Sequence, residues 1–289
     1  MKGIILAAGS GTRLNPATLP ISKILLPIFD RPMIYYPLSV LMDSSIKDVL
    51  IITNEKDADN FKRTLGDGSQ FGIKISYEIQ YVQRGIADAF IIAEDWIGDD
   101  DVALILGDNI LYGPSLNRSI QKALESDMPA VIFGYHVTDP KRFGVVEFDS
   151  QMNVLSIEEK PIKPKSNYAA IGLYFYKKGV CSKAKTLNES KRGELEITDL
   201  NNLFLDENKL SVIILEKDIK WLDAGTFDSI IESSVFVSET EKKQQMKIMC
   251  PEIIAYHKKY VTKEKIMEWV QKNNTSDYYK AITEYLSIK

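Results

Sequence analysis

Three short apolar runs, Gly3–Ala7, Asp48–Thr53 and Val102–Leu106, and a further strand-like stretch, Ile73–Ile79, alternate with stretches of helical spacing over the first third of the chain. Runs this short and this uniformly apolar suit strands covered on both faces. The intervening stretches Met33–Met42, Asn54–Leu65 and Ile86–Glu94 read as helices, the first with Pro32 where an early proline is tolerated. Strand–helix alternation of this kind predicts an α/β fold built on a mainly parallel sheet with helices on both sides.

The pattern then changes. Val131–His136, Gly144–Phe148, Val154–Ile157 and Ile171–Tyr176 are strand-like, Glu196–Leu205 is helical and Leu210–Leu215 extended. Lys220–Thr226 leads into another helix, with Thr226 or Asp228 available as its cap. Beyond about Met246 lies a tail of short helices, with Ile266, Trp269 and Val270, then Tyr278, Ile282 and Tyr285, at helical spacing. That tail reads as a small subdomain packed on the sheet. No repeat or low-complexity stretch is visible, and no hexapeptide series that would build a β-helix.

A chain of 289 residues with 45% hydrophobic and 26% charged residues can bury a real core. Its net charge of −4 argues against a nucleic-acid polymer as partner, while leaving room for a local basic pocket. Cys181 and Cys250, like His136 and His257, lack metal-ligand spacing, and two cysteines build no disulfide framework. No apolar run approaches the roughly 20 residues of a membrane span. With no signal-peptide pattern at the start, a cytoplasmic protein is expected.

The first strand stops at Leu6-Ala7-Ala8-Gly9-Ser10-Gly11-Thr12-Arg13-Leu14. Gly9 and Gly11 match the first two glycines of a dinucleotide fingerprint, and Asp30 falls near its acidic position. Leu14, however, takes the place of the third glycine, and Pro16 and Pro20 prevent the long helix that should face a pyrophosphate. A P-loop fails as well, for want of a Gly-Lys-Ser/Thr close. What remains is either a plain tight turn or a cluster of backbone donors suited to phosphate oxygens. Arg13 and Lys23 would supply charge to the second.

Asp108, in Leu106-Gly107-Asp108-Asn109, follows an apolar strand at the sheet edge where α/β proteins bind ligands. Asp223, in Trp221-Leu222-Asp223-Ala224-Gly225, occupies a similar setting. Each reads either as a turn cap or as a carboxylate for Mg²⁺ completed by phosphate and water. Spacing alone leaves open whether the two converge. Lys160 and Arg192 are candidates to grip a second phosphate, and Glu159 to accept from sugar hydroxyls.

These stretches resemble the glucose-1-phosphate thymidylyltransferases over nearly the whole chain. The glycine loop and Ser22-Lys23 carry the likeness, with Arg31–Leu38, Leu65–Ser69, Leu106–Asn109, Gly144–Phe148, Glu158–Pro161, Lys165–Tyr168, Arg192–Asp199 and Trp221–Thr226. The resemblance implies a Rossmann-like nucleotidyltransferase core over 1–246 with a mixed, mainly parallel central sheet. A sugar-binding subdomain at about 110–220 and a helical subdomain at 247–289 would complete it. It implies synthesis of dTDP-glucose from dTTP and glucose 1-phosphate, with Mg²⁺ as cofactor. Ala8, Gly9, Ser10, Gly11, Thr12, Arg13, Lys23 and Asp108 would hold the nucleotide, with Gln80 and Gly85 at the base. Asn109, Gly144, Glu159, Lys160, Ala170 and Arg192 would meet the sugar phosphate, and Asp108 and Asp223 the metal. Arg13, Lys23, Asp108 and Lys160 are the expected catalytic residues. Such enzymes are usually homotetramers with a second, regulatory nucleotide site.

Ala8 stands in place of a common glycine, and Ile24 of a glutamine. The interior of Gln80–Asp88 also departs from the usual version, and so do Ala170 and Ile171. The rival readings are a UTP-using enzyme of the same fold, a catalytically silent nucleotide-sugar sensor, and an NAD-dependent enzyme disfavoured by Pro16 and Pro20.

Overall fold

The structure, a computed structural model, describes residues 1–272 and 275–288. Its strands are β1 (Lys2–Leu6), β2 (Pro27–Ile28), β3 (Arg31–Pro32), β4 (Asp48–Thr53), β5 (Lys74–Ile79), β6 (Val102–Leu106) and β7 (Asn109–Tyr112). They continue with β8 (Ala130–His136), β9 (Gly144–Phe148), β10 (Val154–Glu159), β11 (Tyr168–Tyr176), β12 (Leu210–Ile214) and β13 (Lys220–Asp223). The main sheet runs β10-β9-β11-β6-β1-β4-β5, with β8 added to β11 and β12 to β8. In this sheet β5, β4, β1 and β6 are mutually parallel, as the alternation predicts.

Side chains of successive residues point to opposite faces of a strand. Ile5, Val49, Ile51, Ala103 and Ile105 therefore enter one core cluster. Ile4, Leu50, Ile52, Val102 and Leu104 enter the other. Both faces are dry, which is why these strands are apolar at nearly every position.

The strand β11 changes the direction of the sheet. Leu173–Tyr176 pair antiparallel with β6, Ala169 and Ala170 pair with β9, and the opposite edge pairs with β8 through a register shift between Ala170 and Tyr174. It starts three residues before the expected Ile171, because partners on both edges hold two alanines that have little strand preference of their own.

Some expected helices differ in detail. The first spans Tyr35–Asp43, the second is a single tight turn followed by Ala58–Leu65, and Glu196 is the extended residue before helix Ile197–Asp206. The stretch 86–94 is two short helices, Asp88–Ile92 and Glu94–Ile97, broken where Ala93 leaves the helical ψ range. Helices Leu116–Leu124 and Val180–Ala184 were not anticipated. Helix Phe227–Gln244 is capped by Thr226, not Asp228. Its hydroxyl accepts from Ser229 N–H, and Ser229 Oγ accepts from Thr226 N–H.

Helices Pro251–His257, Lys263–Lys272 and Asp277–Ile288 follow. Ile266, Val270, Tyr278 and Ile282 join the core of one sheet face, with Leu286 rather than Tyr285 buried at the end. Arg31, fully buried, pins this region to the hairpin β2–β3. Its guanidinium pairs with Glu241 and donates to the Ile248 carbonyl at 2.9 Å, and Lys247 pairs with both Asp30 and Glu241. Asp30 thus belongs to a structural ion cluster and not to the glycine loop.

Candidate active site

Past β1 the backbone stays in the sheet for one more bond, Ala7 N–H to the Ile52 carbonyl at 2.7 Å, and then leaves it. Gly11 has φ of 64°, and a Cβ there would lie 3.2 Å from Thr18 Cγ2. Thr18 Oγ1 donates to the Gly11 carbonyl at 2.8 Å. Only a single turn, Thr12–Leu14, forms after the loop, so no helix long enough for a dinucleotide site begins here. The Lys23 side chain runs along the loop, with Cε 3.8 Å from the position a Cβ would take on Gly9. It ends in an ion pair with Asp108.

The pairing of β7 with β13 answers the question that spacing left open. The two strands are antiparallel, with Asn109 opposite Asp223 and Leu111 opposite Trp221. Ala224 N–H donates to the Asp108 carbonyl at 3.0 Å. Two aspartates remote in sequence thereby share one wall. Burial opposes charge on Asp108, but the Lys23 ammonium and hydrogen bonds from Lys23 and Asn109 outweigh it and hold its carboxyl below the usual range. Burial, and then the Asp108 carboxylate, push Asp223 the other way, against the pull of Lys23, Arg142 and Arg13. Asn109 is fixed on both ends: its Oδ1 accepts from Trp221 Nε1 at 2.7 Å and Gly172 N–H at 3.1 Å, and its Nδ2 donates to Asp108 at 3.1 Å.

Arg13, Asp108, Asn109 and Asp223 line one side of a cavity of about 230 Å³. Gly144, Glu159, Lys160, Ala170 and Arg192 line the same cavity. The sheet assembles this second group, since Gly144 lies opposite Glu159 on β10 and opposite Ala170 on β11. Glu159 accepts from Thr198 Oγ1 at 2.6 Å and lies 3.5 Å from Lys160 and 3.8 Å from Arg192. Arg192 is held by Glu194 at 2.9 Å and Glu196 at 2.7 Å. Burial would raise the Glu196 carboxyl, but hydrogen bonds from Arg192 and Ser190 win and lower it.

Lys23, Gln80, Gly85 and the loop residues Ala8, Gly9, Ser10, Gly11 and Thr12 do not line that cavity. They occupy the carboxyl ends of β1, β4 and β5 beside it. Gln80 N–H donates to the Thr53 carbonyl at 2.8 Å, and Gln83 Nε2 bridges to the Ala8 carbonyl at 2.9 Å. Gly85 has φ of 93°, and a Cβ there would meet the Leu195 carbonyl oxygen at 2.6 Å. Arg84 and Ala87 flank it with backbone bonds to Leu195.

Several lining residues escaped the sequence reading. Arg142, 3.8 Å from Asp223, sits on an exposed turn two residues before Gly144. Gly172 leaves space that any Cβ would lose, at 2.6 Å from Leu106 and 2.8 Å from Asn109 Oδ1. Among the described residues no group of three or more His, Cys, Asp or Glu is placed to hold a metal. Asp108 and Asp223 suit a hard divalent cation that takes its other oxygens from phosphate and water. Burial and then the Asp108 carboxylate raise the Asp223 carboxyl, and a cation between the two would offset both.

An open α/β sheet with this carboxylate and cation grouping at its strand ends defines a nucleotidyl transferase. The family model of that description matches residues 2–240. A glucose-1-phosphate thymidylyltransferase of Neisseria meningitidis is 52% identical, the alignment covering 93% of each chain. One from Mycobacterium tuberculosis is 46% identical over 99% of each. A Bacillus anthracis structure assigned as a glucose-1-phosphate thymidylyltransferase, in complex with sucrose, superposes with TM-score 0.76 at 39% identity, covering 82% of this chain and 94% of that one. The chain belongs to the glucose-1-phosphate thymidylyltransferase family. A UDP-glucose pyrophosphorylase complexed with UDP-glucose shares the fold, with TM-score 0.72 at 23% identity over 83% of this chain and 98% of that one. Among the described residues no helix is long and apolar enough to cross a membrane.

Proposed function

We propose that the chain joins dTTP to glucose 1-phosphate, releasing pyrophosphate and forming dTDP-glucose. A phosphate oxygen of the sugar 1-phosphate attacks the α-phosphorus, and the bond from that phosphorus to the oxygen bridging to the β-phosphate breaks. The attacking oxygen is already an anion, so no protein nucleophile or general base is required. The difficulty is electrostatic: two polyanions must meet in line. The observation that carries this reading is the convergence of Asp108 and Asp223 between two cation groups, Arg13 with Lys23 and Lys160 with Arg192.

Arg13 and Lys23 hold the triphosphate beside the glycine-loop amides, and they offset charge on the departing pyrophosphate. Lys160 and Arg192 hold the sugar phosphate, while Glu159 and the Asn109 region orient the hexose. Alignment of the two substrates supplies much of the remaining acceleration. A divalent cation such as Mg²⁺ on Asp108 and Asp223 supplies charge neutralisation for the phosphates. The same reading makes the enzyme cytoplasmic and homotetrameric. Phe227, Ile231 and Val235, exposed at four-residue spacing along one helix, support a protein–protein contact there.

A pyrophosphate-release assay across nucleoside triphosphates and sugar 1-phosphates tests the reaction. The expected order is dTTP, then UTP, with CTP scarcely used, and glucose 1-phosphate the best acceptor. Release favouring UTP over dTTP would move the chain to the uridylyl-transferring alternative.

A further inference from the structure

The segment Gln80–Asp88 ends in an aspartate bonded to the Gln80 side chain. Asp88 opens helix Asp88–Ile92 and is 2% exposed. Its Oδ1 takes Arg84 at 2.7 Å, and its Oδ2 accepts from Gln80 Nε2 at 2.9 Å. A carboxylate facing an arginine accepts hydrogen bonds and cannot donate them. The Gln80 amide must therefore turn its nitrogen to Asp88, and the same nitrogen also lies 3.4 Å from the Gly85 carbonyl. Among the described residues no donor reaches Gln80 Oε1, although Gln80 is only 5% exposed. The Gln83 bond to the Ala8 carbonyl keeps the loop after Gln80 against the glycine loop.

We propose that Asp88 is a positioning residue for base choice. It locks the Gln80 amide with its oxygen free, so that the open group offered to the base is an acceptor. This rests on the reaction proposed above. Thymine and uracil present a ring N3–H to such an acceptor, whereas cytosine presents an N3 lone pair. A free glutamine would accommodate cytosine by rotating its amide. Here rotation would break the bond to Asp88 and set Oε1 against a carboxylate. Asp88 thus turns an adaptable glutamine into a one-sided reader without touching the nucleotide.

The test is kcat/KM for dTTP and CTP in wild type, Asp88→Asn and Asp88→Ser. Asparagine and serine can donate as well as accept, so Gln80 regains both orientations. The dTTP-to-CTP preference is expected to fall about tenfold or more, mainly through KM. A merely structural role would lower both substrates together and leave the ratio alone. An unchanged ratio in either folded variant overturns the proposal. A probe that needs no variant is dTTP methylated at N3, expected to bind wild type at least about tenfold more weakly than dTTP. Equal binding would also overturn it. A wild-type enzyme that ignores dTTP would instead defeat the reaction assignment.

Discussion

Asp223 lies directly opposite Asn109 across a two-stranded antiparallel ladder, which sets its carboxylate beside that of Asp108. The ladder is separate from the main sheet, yet its strand β7 begins only two residues, Gly107 and Asp108, beyond the end of β6. A short strand pair of this kind has one purpose that packing alone does not require: it joins two acidic residues from distant parts of the chain.

If that pair holds the cation, each half is indispensable. Asp108→Asn and Asp223→Asn are expected to lower turnover with Mg²⁺ by roughly 100-fold or more, while the fold is retained. Pyrophosphate release under saturating substrates measures this. Turnover within a factor of a few of wild type in both variants would remove the metal assignment.

The two cation groups should fail on different substrates. Lys23 reaches Asp108 along the glycine loop, whereas Arg192 is braced by Glu194 and Glu196 across the cavity. Lys23→Ala is expected to weaken dTTP binding about tenfold or more, and Arg192→Ala to raise KM for glucose 1-phosphate by a similar factor. Calorimetric titration of each variant with each substrate separates the effects. A crossed pattern would reverse the assignment of the two ends.

Gly85 has no tolerated replacement. Its φ of 93° disfavours any side chain, and the Leu195 carbonyl occupies the space of a Cβ. Gly85→Ala should cost about 1–3 kcal/mol locally. It should shift the Gln80 loop off the glycine loop, raising KM for dTTP more than KM for the sugar phosphate. Equal changes in both KM values would place the loop outside the nucleotide site.

Stability should carry one signature of a buried acid. Burial pushes the Glu252 carboxyl up, and the hydrogen bonds from Tyr278 at 2.6 Å and Cys250 at 3.2 Å only partly oppose it. Its Oε1 is buried without a partner. The folded chain therefore holds this proton more tightly than the unfolded chain. The resulting stabilisation is fully present at low pH and is lost as pH rises from the ordinary glutamate range through the raised folded value. Glu252→Gln removes that dependence. Urea midpoints at about pH 5 and pH 8 should show the variant gaining on wild type at the higher pH. A constant difference at both values would mean Glu252 titrates normally.

The strands β1, β4 and β6 were legible because each is a nearly unbroken apolar run, and a sheet covered on both faces demands that. Gly9, Arg13 and Asp108 were legible for a related reason: they interrupt such runs at the strand ends. The meeting of Asp108 with Asp223 was not, because pairing between remote strands leaves no local periodicity. Arg142 was missed as an exposed cation on a turn, although Gly144, two residues on, lines the same cavity. Asp88 carried no mark of its own in the sequence. Only its bonds to Gln80 and Arg84 set it apart.

The strand β11 touches β6, β8 and β9 at once. Gly172 beside Asn109 and Ala170 beside Gly144 are set by a single backbone segment. The stretch that follows β6 and the strand β9 are therefore not exchangeable modules. A chimaera joined within Tyr168–Tyr176 would bring two registers into conflict, whereas one that keeps β11 whole could alter sugar preference by substituting only the side chains it presents.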